Sequence, residues 1–220
     1  MEKPDPFYAG LMKIGTRENI LDSYRNNYLY FNTVAHFRSL ENSPVGRHDQ
    51  HEGDLLIKQV VKLTLEKEGI KYNFHEIFKK FSAQYHESLV KVPGNICSFC
   101  LFTLTKEKNE FTIDSRLKEF GDTALVITNF SKFIKVVDSS ITQLKFGYER
   151  KQVEYYNPKT YTGDLTFFQK DNSFQYQNEY RILIKSSGDN PIKLSVPNLN
   201  KVSSILDFVS LKTLILEIKV

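Results

Sequence analysis

The amino-acid sequence predicts an α+β fold: a mixed, largely antiparallel, twisted sheet carrying short helices. Three observations lead there. Candidate strands outnumber candidate helices, and the two do not alternate in the regular βα order of a doubly wound sheet. Turn-forming residues punctuate the chain closely, at Asn26-Asn27, Glu68-Gly69, Pro93-Gly94-Asn95 and Asp171-Asn172. No Pro/Gly/Ser-rich linker, low-complexity segment or internal repeat divides the 220 residues, so the expectation is a single domain spanning 1–220.

Residues 7–14 are apolar around a central glycine and read as a first strand. Thr16 has the position of an N-cap, and Ile20, Leu21 and Tyr24 follow at helical spacing. Asn26-Asn27 closes that helix. Residues 28–33 (YLYFNT) form a dense aromatic strand, and 34–40 a short helical turn. Residues 41–53 are polar, with Pro44, Gly46 and Gly53, and read as a loop. A strand over 55–65 returns through a hairpin turn at 66–69. A helix is expected over 76–85, a strand over 96–104, a short helix over 113–120 and a strand over 124–128. Asn129 caps a helical turn within 129–137, and 145–155 form a strand pair or bulged strand. Residues 179–185 alternate cleanly, with Tyr180, Ile182 and Ile184 on one face and Arg181 and Leu183 on the other. A helix over 202–209 and a strand over 213–220 complete the pattern.

The composition, 40% hydrophobic and 25% charged, is that of a globular protein, and 17 Phe and 12 Tyr supply a substantial core. No stretch approaches the roughly 18 apolar residues that span a bilayer. The polar opening, residues 1–6, has no apolar core of a signal peptide, and two cysteines form no disulfide framework. These points predict a cytoplasmic protein without a membrane partner. The net charge of +4 and pI near 8.8 permit RNA or another polyanion as partner, with lysines dispersed rather than blocked together.

Two polar clusters concentrate the chemistry. The first is Arg47-His48-Asp49-Gln50-His51-Glu52-Gly53, in the loop. Arg47 can fork onto a phosphate, and Asp49 and Glu52 can bind a ribose hydroxyl, orient Arg47 or act as a base. His48 and His51 with Asp49 or Glu52 offer metal-competent groups, but at no recognised ligand spacing, and no metal is assigned. The second cluster is Gln177-Asn178-Glu179-Tyr180-Arg181. Glu179 and Arg181, two apart on a strand, share one face. They form either a weak surface pair or, if that face lines a cleft, a site. A third feature is the aromatic strand with Tyr28, Tyr30, Asn32 and Thr33, followed by His36 and Arg38. Its outward rings can stack a base or a nicotinamide, while most of its aromatics belong to the core. Cys97 and Cys100 lie three apart on a strand, hence on opposite faces, and read as buried and inert.

The segments "YLYFNTVAHFR", "RHDQHEG", "ICSFC", "GDTALVI" and "FFQKDNSFQYQNEYRILI" together resemble a widespread bacterial family of uncharacterised domains with a late Lys…Glu-x-Arg strand motif. A second similarity, in the strand, Thr-capped helix, aromatic strand and late strand opening with Glu, is to ADP-ribosyltransferases of the kind that modify nucleic acids. That resemblance implies an ADP-ribosyltransferase-like fold and an NAD-dependent glycosyl transfer, with NAD as substrate. It implies that Glu179 stabilises the ribosyl cation and that Tyr28, Tyr30, Asn32 and Thr33 support the dinucleotide. In that family an Arg or His on the first strand grips NAD. Here the strand carries Tyr8 and Lys13, so Arg38 or Arg47 takes the phosphate role, with Asp49, Glu52 and Arg181 nearby. The implied biology is a bacterial toxin or phage-defence effector acting on RNA, another nucleic acid or a protein, with an antitoxin partner. The competing expectation is a nucleic-acid-binding domain or a metal-dependent nuclease built on Asp49, His51 and Glu52.

Overall fold

A computed structural model describes residues 10–39, 51–78, 80–88, 95–103, 105–107 and 110–211. The expected class holds: the protein is α+β, with mostly antiparallel strands and few short helices.

Strand β1 (Leu11–Gly15) leads into helix α1 (Arg17–Arg25). Thr16 caps that helix, accepting a hydrogen bond from the Asn19 backbone N–H at 3.4 Å. Asn26 closes it, and Asn27 takes the left-handed turn (φ 52°). Strand β2 (Tyr28–Thr33) and the short helix α2 (Val34–Ser39) follow. Strand β3 (Asp54–Val60) pairs with β4 (Ala83–Ser88) in a separate small sheet. The main sheet continues with β5 (Ile96–Thr103), β6 (Thr123–Ile127), helix α3 (Phe130–Gln143) and β7 (Gly147–Gln152). The short β8 (Gln169–Asp171) belongs to a separate two-stranded sheet, and β9 (Glu179–Lys185), β10 (Ile192–Ser195) and β11 (Ser203–Asp207) complete the main one.

In space the main sheet runs β7-β9-β5-β1-β6-β11. Strand β5 is its hub, because it is shared along one edge by two partners. β1 pairs with the end of β5 (Leu11 with Thr103, Met12 with Phe102), and β2 with its beginning (Asn32 with Ser98, Thr33 with Cys97). Neither strand pairs with Phe99, Leu101 or the stretch between, so the sheet forks there. Helix α1 joins the two arms of the fork.

Both faces of the sheet are covered. On one, Phe133, Ile134, Val137 and Ile141 of α3 join Tyr180, Ile182, Ile184, Phe31 and Leu101 in one buried cluster. On the other, Met12, Ile14, Phe102, Ala124 and Val126 meet Leu117, Phe208 and Leu211. Each Val, Leu, Ile, Met or Phe side chain among these contributes roughly 1.5–3 kcal/mol on burial.

Four expectations change. The helix begun by Asn129, which accepts from the Lys132 N–H at 3.0 Å, runs on to Gln143 because Phe133, Val137 and Ile141 keep a helical period. The strand expected over 55–65 stops at Val60, and Thr64–Lys67 belongs to a separate hairpin with Ile70–Asn73, turning at Glu68 (φ 55°) and Gly69 (φ 78°). The helix expected over 76–85 is confined to Phe74–Ile77, and β4 follows, because pairing along β3 outweighs local propensity. The helix expected over 202–209 is a strand up to Asp207, drawn out by its five-residue pairing with β6. The strand expected over 213–220 lies outside the described residues. Among those residues no helix is long and apolar enough to cross a membrane.

Candidate functional site

The fork in the sheet opens a cavity of about 590 Å³. That volume suits a ligand of nucleotide size. Lys13, Ile14 and Gly15 of β1 form one wall with Thr16 and Asn19 at the start of α1. Tyr28, Tyr30 and Asn32 of β2, with His36 and Phe37 of α2, form the opposite wall. Ser98, Phe99, Cys100 and Phe102 of β5 lie between, and Lys170, Gln177, Glu179, Arg181 and Glu52 make the polar floor.

Each floor residue arrives there for a local reason. Asn178 takes the left-handed conformation (φ 40°, ψ 58°), which Asn tolerates better than most residues. It ends the 3-10 turn Asn172–Gln177 and starts β9. It is tied down on both sides: the Thr103 N–H donates to its carbonyl at 2.9 Å, and the Gln152 amide donates to its side-chain oxygen at 2.6 Å. Glu179 therefore enters β9 in fixed register, opposite Phe102, with Arg181 opposite Cys100. Tyr180, Ile182 and Ile184 turn to the core, as their alternation predicts, so Glu179 and Arg181 turn to the cavity. Strand β8 pairs in parallel with Glu154–Tyr156, which sets Lys170 beside Tyr155. The Tyr155 hydroxyl in turn accepts the Glu179 backbone N–H at 2.9 Å.

The result is a buried chain of alternating charge. Lys170 Nζ lies 3.3 Å from Glu179 Oε2 and donates to Gln177 Oε1 at 3.1 Å. Arg181 Nε donates to Glu179 Oε1 at 2.7 Å, and its two terminal nitrogens donate to Glu52 at 2.5 and 3.3 Å. Arg181 also donates to the Phe167 carbonyl. Glu179 and Arg181 are each 2% exposed, so this is not the weak surface pair that the residues alone allow. Burial by itself raises the Glu179 carboxyl, but Arg181 and Lys170 outweigh it and hold the group far below the usual carboxylate range. Burial likewise opposes the charge on Arg181, and Glu179 and Glu52 overcome it, so the guanidinium stays protonated. Burial and the Glu179 charge push the Cys100 thiol up to about 11. At neutral pH the floor thus holds an ionised Glu179, a protonated Arg181 and a neutral Cys100 thiol.

Of the expected site residues, Tyr28, Tyr30, Asn32, Glu52, Glu179 and Arg181 line this one cavity. Tyr8, Arg47 and Asp49 lie outside the described residues. Thr33 does not line the cavity: it is buried, pairs with Cys97 on β5 and caps α2, its hydroxyl accepting the His36 N–H at 3.1 Å. Arg38 does not line it either, and turns to Asp54, with Nη2 3.8 Å from Oδ1. Among the described residues, the cations that do reach the cavity are Lys13, Lys170, Arg181 and Lys193. Lys170 is the residue that the sequence reading passed over. Its signal is the Lys…Glu-x-Arg pattern itself, since Lys170, Glu179 and Arg181 make up the ionic core of the floor.

Glu52 and His51 part company. Glu52 goes to Arg181, whereas His51 Nδ1 lies 2.8 Å from Asp54 Oδ2. Asp54 is 3% exposed and also meets His86 Nδ1 at 3.0 Å and the Ser88 hydroxyl. Burial raises its carboxyl, but the hydrogen bonds from Ser88, His86 and His51 outweigh that and lower it. His51 and Glu52 therefore turn to different partners, and Asp49 lies outside the described residues.

Comparison with protein-family models, with curated proteins and with solved structures finds no match to this chain.

Proposed function

We propose that the protein is an NAD-dependent ADP-ribosyltransferase acting on a nucleic acid, RNA foremost, or on a protein. The single observation that carries this reading is the convergence of Glu179 with the aromatic strand of Tyr28 and Tyr30 on one nucleotide-sized cavity, from opposite ends of the chain.

When the bond from C1′ of the ribose to nicotinamide breaks, the electron pair leaves with nicotinamide and the ribose becomes an oxocarbenium cation. A carboxylate fixed in a low-dielectric cavity stabilises that developing charge. Glu179 is held ionised and oriented through both oxygens, so its role is electrostatic rather than that of a base. An oxygen or nitrogen of the target then bonds to C1′ and releases its proton. Tyr30, 43% exposed on the cavity wall, offers a ring face for nicotinamide or adenine. Lys13 and the start of α1 present positive charge to the pyrophosphate. Arg38, placed against Asp54, does not take that part. A role as a cytoplasmic toxin or defence effector with an antitoxin partner accompanies this reading.

The test is transfer of label from NAD, labelled in its ADP-ribose part, to purified RNA, DNA or cell protein. Glu179→Gln is expected to cut the rate by about 10²–10³-fold, the usual loss when one electrostatic group is removed from such a site. Tyr30→Ala should raise the KM for NAD while leaving stability unchanged. Absence of label on all three target classes, with folded protein, rejects the reading.

A further inference from the structure

A second side-chain cluster lies outside the cavity and takes no part in that chemistry. We propose that His51, Asp54 and His86 form a binding site for one divalent transition-metal ion, of which Zn²⁺ is the best fit. The site pins the turn at His51 to the β3–β4 sheet.

The geometry is already close to a coordination shell. One ligand atom from each of the three residues lies within 4.8 Å of the other two. Both His51 Nδ1, at 2.8 Å, and His86 Nδ1, at 3.0 Å, address the same carboxylate oxygen, Asp54 Oδ2. In a tetrahedral Zn²⁺ site, nitrogen and oxygen ligands at about 2.0–2.2 Å from the metal stand ~3.3 Å apart. Rotations of these side chains, which already converge on Asp54 Oδ2, reach that spacing. The two imidazoles are stacked, with centroids 4.2 Å apart and planes 21° from parallel, so one ring turns out of the stack for both nitrogen lone pairs to meet one ion. Two imidazoles and a carboxylate are a donor set that suits Zn²⁺ better than Mg²⁺ or Ca²⁺, which prefer oxygen.

The surroundings are built as a metal site requires. Asp54 is 3% exposed, and its other oxygen, Oδ1, accepts the Ser88 hydroxyl and faces Arg38 Nη2 at 3.8 Å. Those partners orient the carboxylate from behind and leave Oδ2 turned to the histidines. A β-bulge between Asp54 and Leu56 shifts the register, so that Ser88 and His86, on one face of β4, both reach Asp54. The turn is closed by the Asp54 N–H donating to the His51 carbonyl at 2.9 Å. The His51 and His86 side chains are 27% and 20% exposed, which leaves an entry path from solvent and room for a fourth ligand such as water. Arg38 is the opposing charge, and it stands on the Oδ1 side, away from the ion. Glu52 follows His51 directly, so a bound ion also steadies the carboxylate that holds Arg181.

The full chain, stripped with EDTA and dialysed, is titrated with Zn²⁺ against a chromogenic zinc chelator while thermal unfolding is followed. The expected result is one ion per chain and a higher melting temperature with Zn²⁺. His51→Ala and His86→Ala should each lose at least as much affinity as the about 10–100-fold typical of removing a supporting partner, and Ser88→Ala should lose about that amount. His75→Ala should bind as the parent does. Failure of the parent to bind Zn²⁺ saturably, or equal binding by the His51→Ala/His86→Ala double variant, overturns the proposal. If those variants misfold, Co²⁺ substitution of the parent decides: an intense tetrahedral visible spectrum supports the site, and a weak octahedral one overturns it. None of these readouts depends on transfer from NAD.

Discussion

The cavity floor and the His51–Asp54–His86 cluster are neighbours through one peptide bond, between His51 and Glu52, yet they handle charge in opposite ways. The floor alternates Lys170, Glu179, Arg181 and Glu52, so each carboxylate has a cation against it. The cluster gathers two imidazoles and a hydroxyl around one carboxylate that is 3% exposed. A buried charge is tolerable only when paired and hydrogen-bonded, and the floor meets that rule through long side chains from three separate segments. The cluster meets it through short side chains brought together by one turn and one bulged strand pair. The difference teaches that the floor is interdependent across the fold, while the cluster is a local device at the edge of it.

Removal of Arg181 is the strongest way to break that contrast. Arg181→Ala leaves Glu179 and Glu52 facing one another without their shared cation, and the expected loss is about 3–5 kcal/mol of unfolding free energy. Chemical denaturation measures it, and a loss below about 1 kcal/mol would mean that the floor is open to water. Asp54→Asn removes charge from the cluster but keeps its shape. The expected loss is smaller, about 1–3 kcal/mol, because the imidazoles keep some access to solvent. Similar losses at the two sites would erase the distinction.

Acid titration sharpens it further. Glu179 and Asp54 both have carboxyls lowered in the folded protein. Each therefore contributes stability that is present above the unfolded value, about 4 for a carboxylate, and lost as pH falls through the lower folded value. Unfolding midpoints should fall below about pH 4, and Glu179→Gln should flatten that fall more than Asp54→Asn does. Equal slopes in the parent and in Glu179→Gln would remove Glu179 as a source. The smallest effect concerns the thiols. Cys100 is pushed up to about 11 and Cys97 is raised by burial, so native protein should react slowly with iodoacetamide at neutral pH and quickly once unfolded. Rapid native labelling would show a floor more open than described.

Glu179 and Lys170 show why part of the site was legible and part was not. The facing of Glu179 and Arg181 follows from two-residue periodicity, which any strand imposes. Its meaning did not follow, since an Arg two positions away on a surface strand makes only a weak pair. Lys170 precedes Glu179 by nine residues, on a short strand that a 3-10 turn separates from β9. No local period links such positions, and only the parallel pairing of β8 with Glu154–Tyr156 brings the amine to the carboxylate. Arg38 and Arg47 had equal claim on a phosphate as residues. Arg38, on helix α2, meets Asp54 instead.

The sequence by itself determined the class of fold, the capped helix after Thr16, the aromatic strand Tyr28–Thr33, the opposite facing of Cys97 and Cys100, and the alternation of Glu179–Lys185. All of these depend on neighbours within a few positions, where propensity, capping and pleat act directly. Tertiary structure alone decided that β1 and β2 share an edge of β5 and part to open a cavity. It also decided that Glu52 crosses to Arg181 while His51 turns to Asp54 and His86. Those outcomes rest on strand pairing and burial between residues up to 129 positions apart, where competing partners differ by register and not by residue type.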